Sequence, residues 1–453
     1  MGVSTKYLLL EPRVKAIAPN IALMKWSRWC EQNGHEYQYV RGCVEKERIG
    51  FIPDEIKMSC IFSFHSKRYR DTIDHYLNLF PAVKFEIGGV FPTLYKKWFE
   101  SWIYTGRYGF NVPFFAGEKD SVIRLHCGMH PEIEKLTPKY NIDITSEDVE
   151  PYPRDKIVMY ASRGCVNKCG YCAVPRLEGS MKSFKSIKGM IDSAKAEMPN
   201  AKSIVLYDNN FTEHEYFDDI IDELVESDLP VDIHGLHVES FDDHKAKQFA
   251  RLKWAAQGIA GTPYLRFSFD WMKYAPNVER AYDIYMKHNI RAGFFCYMLF
   301  NWTDTPQDFW QRIAKCQEIV SSHENGRPIF LFPQRFEPFK PESKDKTQQG
   351  LKRNQYISPK WQKYVENRWP LRFTNEGKSY PNVTGNDLVT GLTRMYTWVH
   401  GFLSVTKSQN LFEWIGKDCD EFLHRAMTMA VDREYRLEKL NDAREVNQKI
   451  LFV

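Results

Sequence analysis

Three cysteines fall within the segment SRGCVNKCGYCAVPR, residues 162–176: Cys165, Cys169 and Cys172, spaced CxxxCxxC with Tyr171 directly before the last. Three chemistries compete for them. A disulfide leaves an odd thiol and is disfavoured in a reducing compartment. Structural zinc takes four ligands, usually as two separated pairs, and the chain has no second CxxC, so a zinc ion would need a remote fourth ligand. An iron-sulfur cubane held by three thiolates accounts for the odd count and leaves one iron free to bind something else. The other cysteines, Cys30, Cys43, Cys60, Cys127, Cys296, Cys316 and Cys419, are scattered singly, as packed reduced thiols are in a cytosolic protein, and a cytoplasmic location is expected.

A ligand loop of this kind needs a regular framework, and the sequence around it alternates strands and helices. KIVMYASRG reads as a strand entering the cysteine loop, SFKSIKGMIDSAKAEM as an amphipathic helix, and AKSIVLYDNNF as a second strand with a polar end. TEHEYFDDIIDELVES has helical period, PVDIHGLHV is a strand, DDHKAKQFARLKWAAQ a helix and PYLRFSFDW a fourth strand. NVERAYDIYMKHN, IRAGFFCYMLFNW, TPQDFWQRIAKCQEIVSSH and RPIFLFPQRFEPF continue as helix, strand, helix and strand. This succession predicts a parallel partial (βα)6 barrel over residues 151–341, with right-handed crossovers and its chemistry at the carboxyl ends of the strands. Those ends carry Asp208 and Asn209, His237 and Glu239, and Ser268 and Asp270, with Tyr297 in the fifth strand. The plainer role for Asp208, Asn209 or Asn210 is to cap the helix that follows.

The CxxxCxxC spacing with its aromatic resembles the signature of the radical S-adenosylmethionine enzymes. That resemblance implies a 4Fe-4S cluster on Cys165, Cys169 and Cys172, whose open iron chelates S-adenosylmethionine and whose electron cleaves it to a 5'-deoxyadenosyl radical. It also implies an electron donor such as flavodoxin or ferredoxin. By the same resemblance Asp208, Ser268 and Asp270 bind the nucleotide, and the backbone beside Tyr171 reads the adenine. The family's glycine-rich GGEP after the second strand reads YDNN here, which bears on recognition of the methionine amine.

Ahead of the cysteines, KYLLLEP, PNIALMKWSRWCEQNG, HEYQYV, KMSCIFSFHS, YRDTIDHYLNLFP and VKFEIGGVFPT alternate strand and helix, the pattern of an open doubly wound α/β sheet. Placed before a radical barrel, this sheet resembles the cobalamin-binding domain of the methylating branch, where a GG.PT loop meets the cofactor. Cobalamin is therefore a candidate cofactor, with Gly88 and Gly89 in the loop and His65, read as the end of the third strand, as a candidate to approach the cobalt. The chain departs from the common DxHxxG pattern of cobalamin proteins, and Cys30, Cys43 and Cys60 do not follow the second-cluster pattern of the methylthiotransferases. Gly88 and Gly89 equally suit an ordinary tight turn.

The whole chain sets the remaining bounds. With 453 residues, 43% of them hydrophobic, it divides on this reading into a cobalamin-binding-like α/β domain with linker over 1–150, the barrel over 151–341 and a mostly helical C-terminal cap over 342–453. The 62 basic residues against 58 acidic ones leave an excess too small to imply a polyanionic partner. No stretch reaches the roughly 20 apolar residues of a membrane span, and MGVSTKYLLLEPRVKAIAP lacks the apolar core of a secretory signal. Beyond Pro341, GNDLVTGLTRMYTWVHGFLS, NLFEWIGKDCDEFLHRAMTMAV and DREYRLEKLNDAREVNQKIL read as helices, while the basic and aromatic mixture from Lys340 to Arg372 suits either a surface or a nucleic-acid backbone. The leading expectation is a radical S-adenosylmethionine enzyme that abstracts hydrogen from an unreactive carbon and methylates it with cobalamin. Its rivals are a radical oxidation, rearrangement or ring contraction without methyl transfer, and a non-catalytic metal-binding protein of nucleic acid. The substrate, whether small molecule, peptide or nucleic acid, is not written in these motifs.

Overall fold

The apolar run of KYLLLE becomes the centre of a sheet because Leu8, Leu9 and Leu10 are all fully buried, as befits a strand covered on both faces. The computed structural model describes residues 4–14, 19–62, 65–97, 99, 123–147, 155–256, 262–336, 338, 356–370, 372–399, 404–405 and 416–439. These fall in two compact units, one within Met1–Asn209 and one within Asn210–Pro338 and Arg353–Val453.

The first unit opens with β1 (Lys6–Glu11), α1 (Ile21–Gln32), β2 (Glu36–Arg41), β3 (Glu55–Ser59), α2 (Ser66–Leu79), β4 (Lys84–Gly88), α3 (Val90–Leu94), β5 (Ile123–Leu125), α4 (Pro131–Glu134) and β6 (Ile144–Ser146). The strands lie in the order β5-β4-β3-β1-β2-β6 and every pairing is parallel. This is the expected doubly wound sheet. Two of its strands, β5 and β6, escape the sequence reading because three residues are too few to show a period. Helix α1 starts where it does because the Asn20 side chain accepts from the Ala22 and Leu23 amides at 3.0 and 3.3 Å. From β1 the chain passes to β2 on one side and then to β3 on the other, so the order reverses at β1. A crevice at the carboxyl ends of β1 and β3 is where an open sheet of this kind binds ligands.

The same unit continues with β7 (Lys156–Met159), β8 (Ser162–Arg163), α5 (Val174–Leu177), β9 (Lys182–Ser183), α6 (Lys188–Glu197) and β10 (Ser203–Leu206). Strands β7 and β10 pair in parallel from Lys156↔Ser203 to Met159↔Leu206, while β8 and β9 form a short antiparallel clasp that closes the cysteine loop.

The second unit contains α7 (Phe217–Glu226), β11 (Val231–Ile233), α8 (Asp243–Phe249), β12 (Tyr264–Ser268), α9 (Ala275–Lys287), β13 (Gly293–Phe300), α10 (Pro306–Ser322) and β14 (Ile329–Arg335). The βα alternation read from the sequence is thus present, and β12, β13 and β14 pair in parallel. A buried Arg312 on α10, together with Asp304, ties the β12 and β13 ends through the Phe269 and Leu299 carbonyls at 3.0 and 2.8 Å.

After these come α11 (Pro359–Arg368), β15 (Arg372–Asn375), β16 (Lys378–Pro381), α12 (Gly385–Val399), β17 (Ser404–Val405) and α13 (Cys419–Val431). The region is less purely helical than expected. β15 and β16 form a hairpin around Glu376 and Gly377, both at positive φ, and β17 adds antiparallel to β14 where a continuing helix was expected. Helix α13 begins at Cys419 because Asp418 caps it, so the expected helix over 410–431 is described only in its second half. Residues 340–355 and 440–453 lie outside the described residues, as does the first part of the basic and aromatic stretch. Of its described aromatics Trp361 is fully buried, with Nε1 donating to Asp304 at 3.2 Å, while Tyr356, Tyr364 and Trp369 are half-buried. No helix among the described residues is long and apolar enough to cross a membrane.

Candidate functional site

The cysteine loop is held by groups that precede and follow it. Gly164 has φ +80°, and a Cβ there would stand 2.2 Å from the Ser180 carbonyl oxygen, so the turn into the loop requires glycine. Its amide donates to Glu178 Oε2 at 2.7 Å, and the next amide, of Cys165, donates to the Gly179 carbonyl at 3.3 Å. Within the loop the Cys172 amide donates to the Cys169 carbonyl at 3.0 Å, and the Asn167 amide meets the Cys165 sulfur at 3.3 Å. All three cysteines are half-buried. Burial pushes the Cys172 thiol up, and the neighbouring Cys169 and Cys165 push it further, so the three sulfurs feel one another's charge. Among the described residues no three His, Cys, Asp or Glu side chains gather tightly enough to hold one metal ion. A cubane asks for something different, one thiolate on each of three irons.

Asp208 and Asn209 serve this loop and do not cap a helix. The Ala161 amide donates to Asp208 Oδ2 at 2.9 Å and the Ser162 hydroxyl donates to Oδ1, so both carboxylate oxygens grip the strand that leads into the cysteines. Burial pushes the Asp208 carboxyl up to about 6, against those hydrogen bonds. Asn209 Nδ2 donates to Glu178 Oε2 at 2.9 Å. Asn210 makes no side-chain cap either; its Oδ1 accepts from the Thr212 hydroxyl at 3.1 Å. Tyr171 is half-buried in the turn before Cys172.

Ser268 and Asp270 belong to the second unit. Ser268 closes β12 opposite Tyr297, and Asp270 accepts from the Leu299 amide at 2.8 Å, a bond that ties β12 to β13. His237 Nε2 pairs with Glu239 at 3.5 Å, and its amide donates to Thr212 Oγ1. Burial pushes the Tyr297 hydroxyl up.

A cavity of about 620 Å³ lies at the switch point of the six-stranded sheet. Glu11, Ser59, Gly88 and Gly89, at the carboxyl ends of β1, β3 and β4, line it. Gly89 has φ +106°, and a Cβ would sit 2.5 Å from the Cys60 carbonyl, so the loop must be glycine to pass this close. His65 is not among the lining residues. β3 ends at Ser59, and His65 precedes the first residue of α2, where its ring packs near Phe62 and Tyr69, so it does not end the third strand as the sequence suggested.

The charged side chains Glu11, Lys25, Lys57 and Glu86 of the cavity have partners within the protein. Glu11 accepts from the Tyr39 hydroxyl and from the Asn20 amide. Lys57 donates to Glu55 and Glu86 at 2.8 and 3.1 Å and lies over the Trp26 ring. Burial works against the Glu86 charge, yet Lys57 and Arg124 together hold its carboxyl below the usual range. Lys25 donates to the Glu134 carbonyl at 2.8 Å and to Glu134 Oε2 at 3.2 Å, and burial pushes its ammonium down.

Two lining residues were missed in the sequence. His126 follows β5 and His130 precedes α4, with ring centroids 5.3 Å apart. His126 Nε2 and His130 Nδ1 are buried without a hydrogen-bond partner in the protein. Burial lowers the His126 imidazole; Glu86 opposes this, while His130, Lys57 and Arg124 reinforce it. The signal available was the spacing HCGMH, two imidazoles four positions apart after an apolar strand.

The cavity and the cysteine loop share a wall. Tyr160, Arg163, Leu177 and Glu178 line the cavity from the side of the loop. Arg163 stacks on Tyr160 at 3.9 Å and pairs with Glu178 at 3.1 Å, the same Glu178 that holds the Gly164 amide.

A switch-point cavity in an open parallel sheet and a cysteine loop on the next parallel pair are followed by further βα units. Among solved structures the chain resembles TsrM from Kitasatospora setae, a radical S-adenosylmethionine methyltransferase determined with cobalamin and a 4Fe-4S cluster bound. The TM-score is 0.53 at 12% identity, over 73% of this chain and 75% of that one, a likeness of fold. No family model matches the chain, and no curated protein matches its sequence.

Proposed function

We propose that the chain is a radical S-adenosylmethionine enzyme that binds cobalamin in the switch-point cavity and methylates an unreactive carbon of its substrate. The observation that carries this reading is the shared wall: Arg163 and Glu178 touch both the cavity and the loop that bears the three thiols. The residues present fit the two groups. Three neighbouring half-buried thiols on one tight turn are the donor set of a cubane with an open iron. Gly89, which no side chain could replace, beside a cavity of about 620 Å³ at the carboxyl ends of the strands, suits a large ligand.

When bound, the cluster supplies an electron to S-adenosylmethionine and the corrin supplies the methyl group. The chain's own part is positional. Cys165, Cys169 and Cys172 hold the cluster; Glu178, Asn209 and Asp208 fix the loop; Gly88 and Gly89 keep side chains out of the cavity floor. The six βα units are read as the partial barrel, with residues 1–150, 151–341 and 342–453 as cofactor, barrel and cap portions, and Tyr171, Ser268 and Asp270 as nucleotide-binding candidates.

The test is anaerobic reconstitution with iron, sulfide and hydroxocobalamin, followed by desalting and reduction with S-adenosylmethionine. The reading expects retained iron, a retained corrin spectrum and formation of 5'-deoxyadenosine. Zinc in place of iron would overturn the radical assignment. Iron and deoxyadenosine without corrin would overturn methyl transfer by cobalamin and leave the radical oxidation or rearrangement.

A further inference from the structure

We propose that Arg163 is a positioning residue that offsets the Glu178 charge beside the three thiols and so sets how readily the cluster accepts an electron; that a cluster sits there rests on the reading above. Glu178 is pinned against the start of the cysteine loop. Its Oε2 accepts from the Gly164 amide at 2.7 Å, one residue before Cys165, and from Asn209 Nδ2 at 2.9 Å. The carbonyl of the next residue, Gly179, accepts from the Cys165 amide at 3.3 Å. The carboxylate's charge reaches the sulfurs: after burial and the neighbouring Cys169 and Cys165, Glu178 also pushes the Cys172 thiol up. A negative charge fixed at this place opposes any more on the loop, and reduction of a cubane adds one.

Two carboxylates flank the Arg163 guanidinium, and distance assigns it to one of them. Its Nη2 lies 3.1 Å from Glu178 Oε1, whereas its Nε lies 3.6 Å from Glu134 Oε2. Glu134 has a cation of its own in Lys25, whose Nζ is 3.2 Å from the same oxygen. Among the described residues Arg163 is the one cation that pairs with Glu178. The guanidinium stands over the Tyr160 ring at 3.9 Å, which fixes its plane. Only 12% of the Arg163 side chain and 11% of the Glu178 side chain are exposed, so solvent ions screen the pair weakly and each charge is felt nearby. Removing the cation therefore leaves a partly buried carboxylate uncompensated next to the loop, and removing the carboxylate leaves a cation there. The two losses act on the cluster in opposite directions.

The experiment reads the cluster's midpoint potential. The full chain and its variants, reconstituted with iron and sulfide without oxygen, are titrated with a reductant at one pH while electron paramagnetic resonance follows the reduced cluster. The proposal expects Arg163→Gln to lower the potential, Glu178→Gln to raise it, and Arg163→Lys, which keeps the charge, to stay near the wild-type value. The opposite signs are the distinguishing mark, because a role in packing alone would loosen the loop in both glutamine variants and move both the same way. Shifts of one sign, no shift in either variant, or an Arg163→Lys potential equal to that of Arg163→Gln overturns the proposal. Where Arg163→Gln loses its cluster, the other two variants decide: a wild-type potential in Arg163→Lys with a raised one in Glu178→Gln supports it, and any other pair of values overturns it. A wild-type protein that retains no iron is a different result: it removes the cluster reading and this assignment with it.

Discussion

In the cysteine loop the supporting polar groups are engaged by the chain itself: Glu178 holds Gly164, Asn209 and Arg163, and Asp208 holds Ala161 and Ser162. In the switch-point cavity, a few residues away through the same wall, the charges are paired but two imidazole nitrogens are not. The loop is therefore a preformed cradle whose shape is set before any cluster arrives. The difference predicts that substitutions around the loop cost stability in the cofactor-free protein.

The largest expected effect is at Gly164. Gly164→Ala forces a side chain into a left-handed turn and against the Ser180 carbonyl, and should destabilise the apo-protein by about 4 kcal/mol, read by urea unfolding. A cost near zero would mean that the loop is not preformed.

Next comes a pH dependence at Asp208. Its carboxyl is raised from 3.8 to about 6 in the folded chain, so the folded state holds a proton that the unfolded state has lost between those values. The stability it contributes is full below about pH 4 and falls as pH rises through about 6, by about 3 kcal/mol at most. Asp208→Asn removes the titration, and its amide oxygen still accepts from the Ala161 amide. Measured against wild type, its relative stability should rise between pH 4 and 7; a flat difference would contradict the assignment.

Glu178→Gln weakens the charge-assisted bonds to Arg163 and to the Gly164 amide, with an expected loss of about 2 kcal/mol in the same unfolding assay. The smallest effect belongs to His65. His65→Ala should change stability by less than about 1 kcal/mol and leave corrin retention unaltered, because the ring is not part of the cavity. Loss of corrin from that variant would return His65 to the site.

These contrasts also explain what could be read in the sequence. The three cysteines lie close along the chain, so the loop that carries them is legible, as are long strands and helices such as β13 and α10. The roles of Asp208 and Asn209 are not, because a polar strand end gives no sign of whether it faces a ligand or, as here, the preceding strand. The cavity is assembled from Glu11, Trp26, Lys57, Gly88 and His126 on separate elements, and no spacing rule joins them. β5, which delivers His126, is too short for periodicity, and the histidine nearer in sequence to a recognisable strand, His65, drew attention instead.

The central claim is that Cys165, Cys169 and Cys172 hold a cubane with one open iron. Mössbauer spectroscopy of the iron-57 protein, reconstituted without oxygen and measured with and without S-adenosylmethionine, tests it most directly. The account predicts a 4Fe-4S signal in which one iron site shifts on adding S-adenosylmethionine, and loss of the cluster in Cys169→Ala. Iron-free protein, or a cluster that neither responds to S-adenosylmethionine nor depends on Cys169, would contradict it.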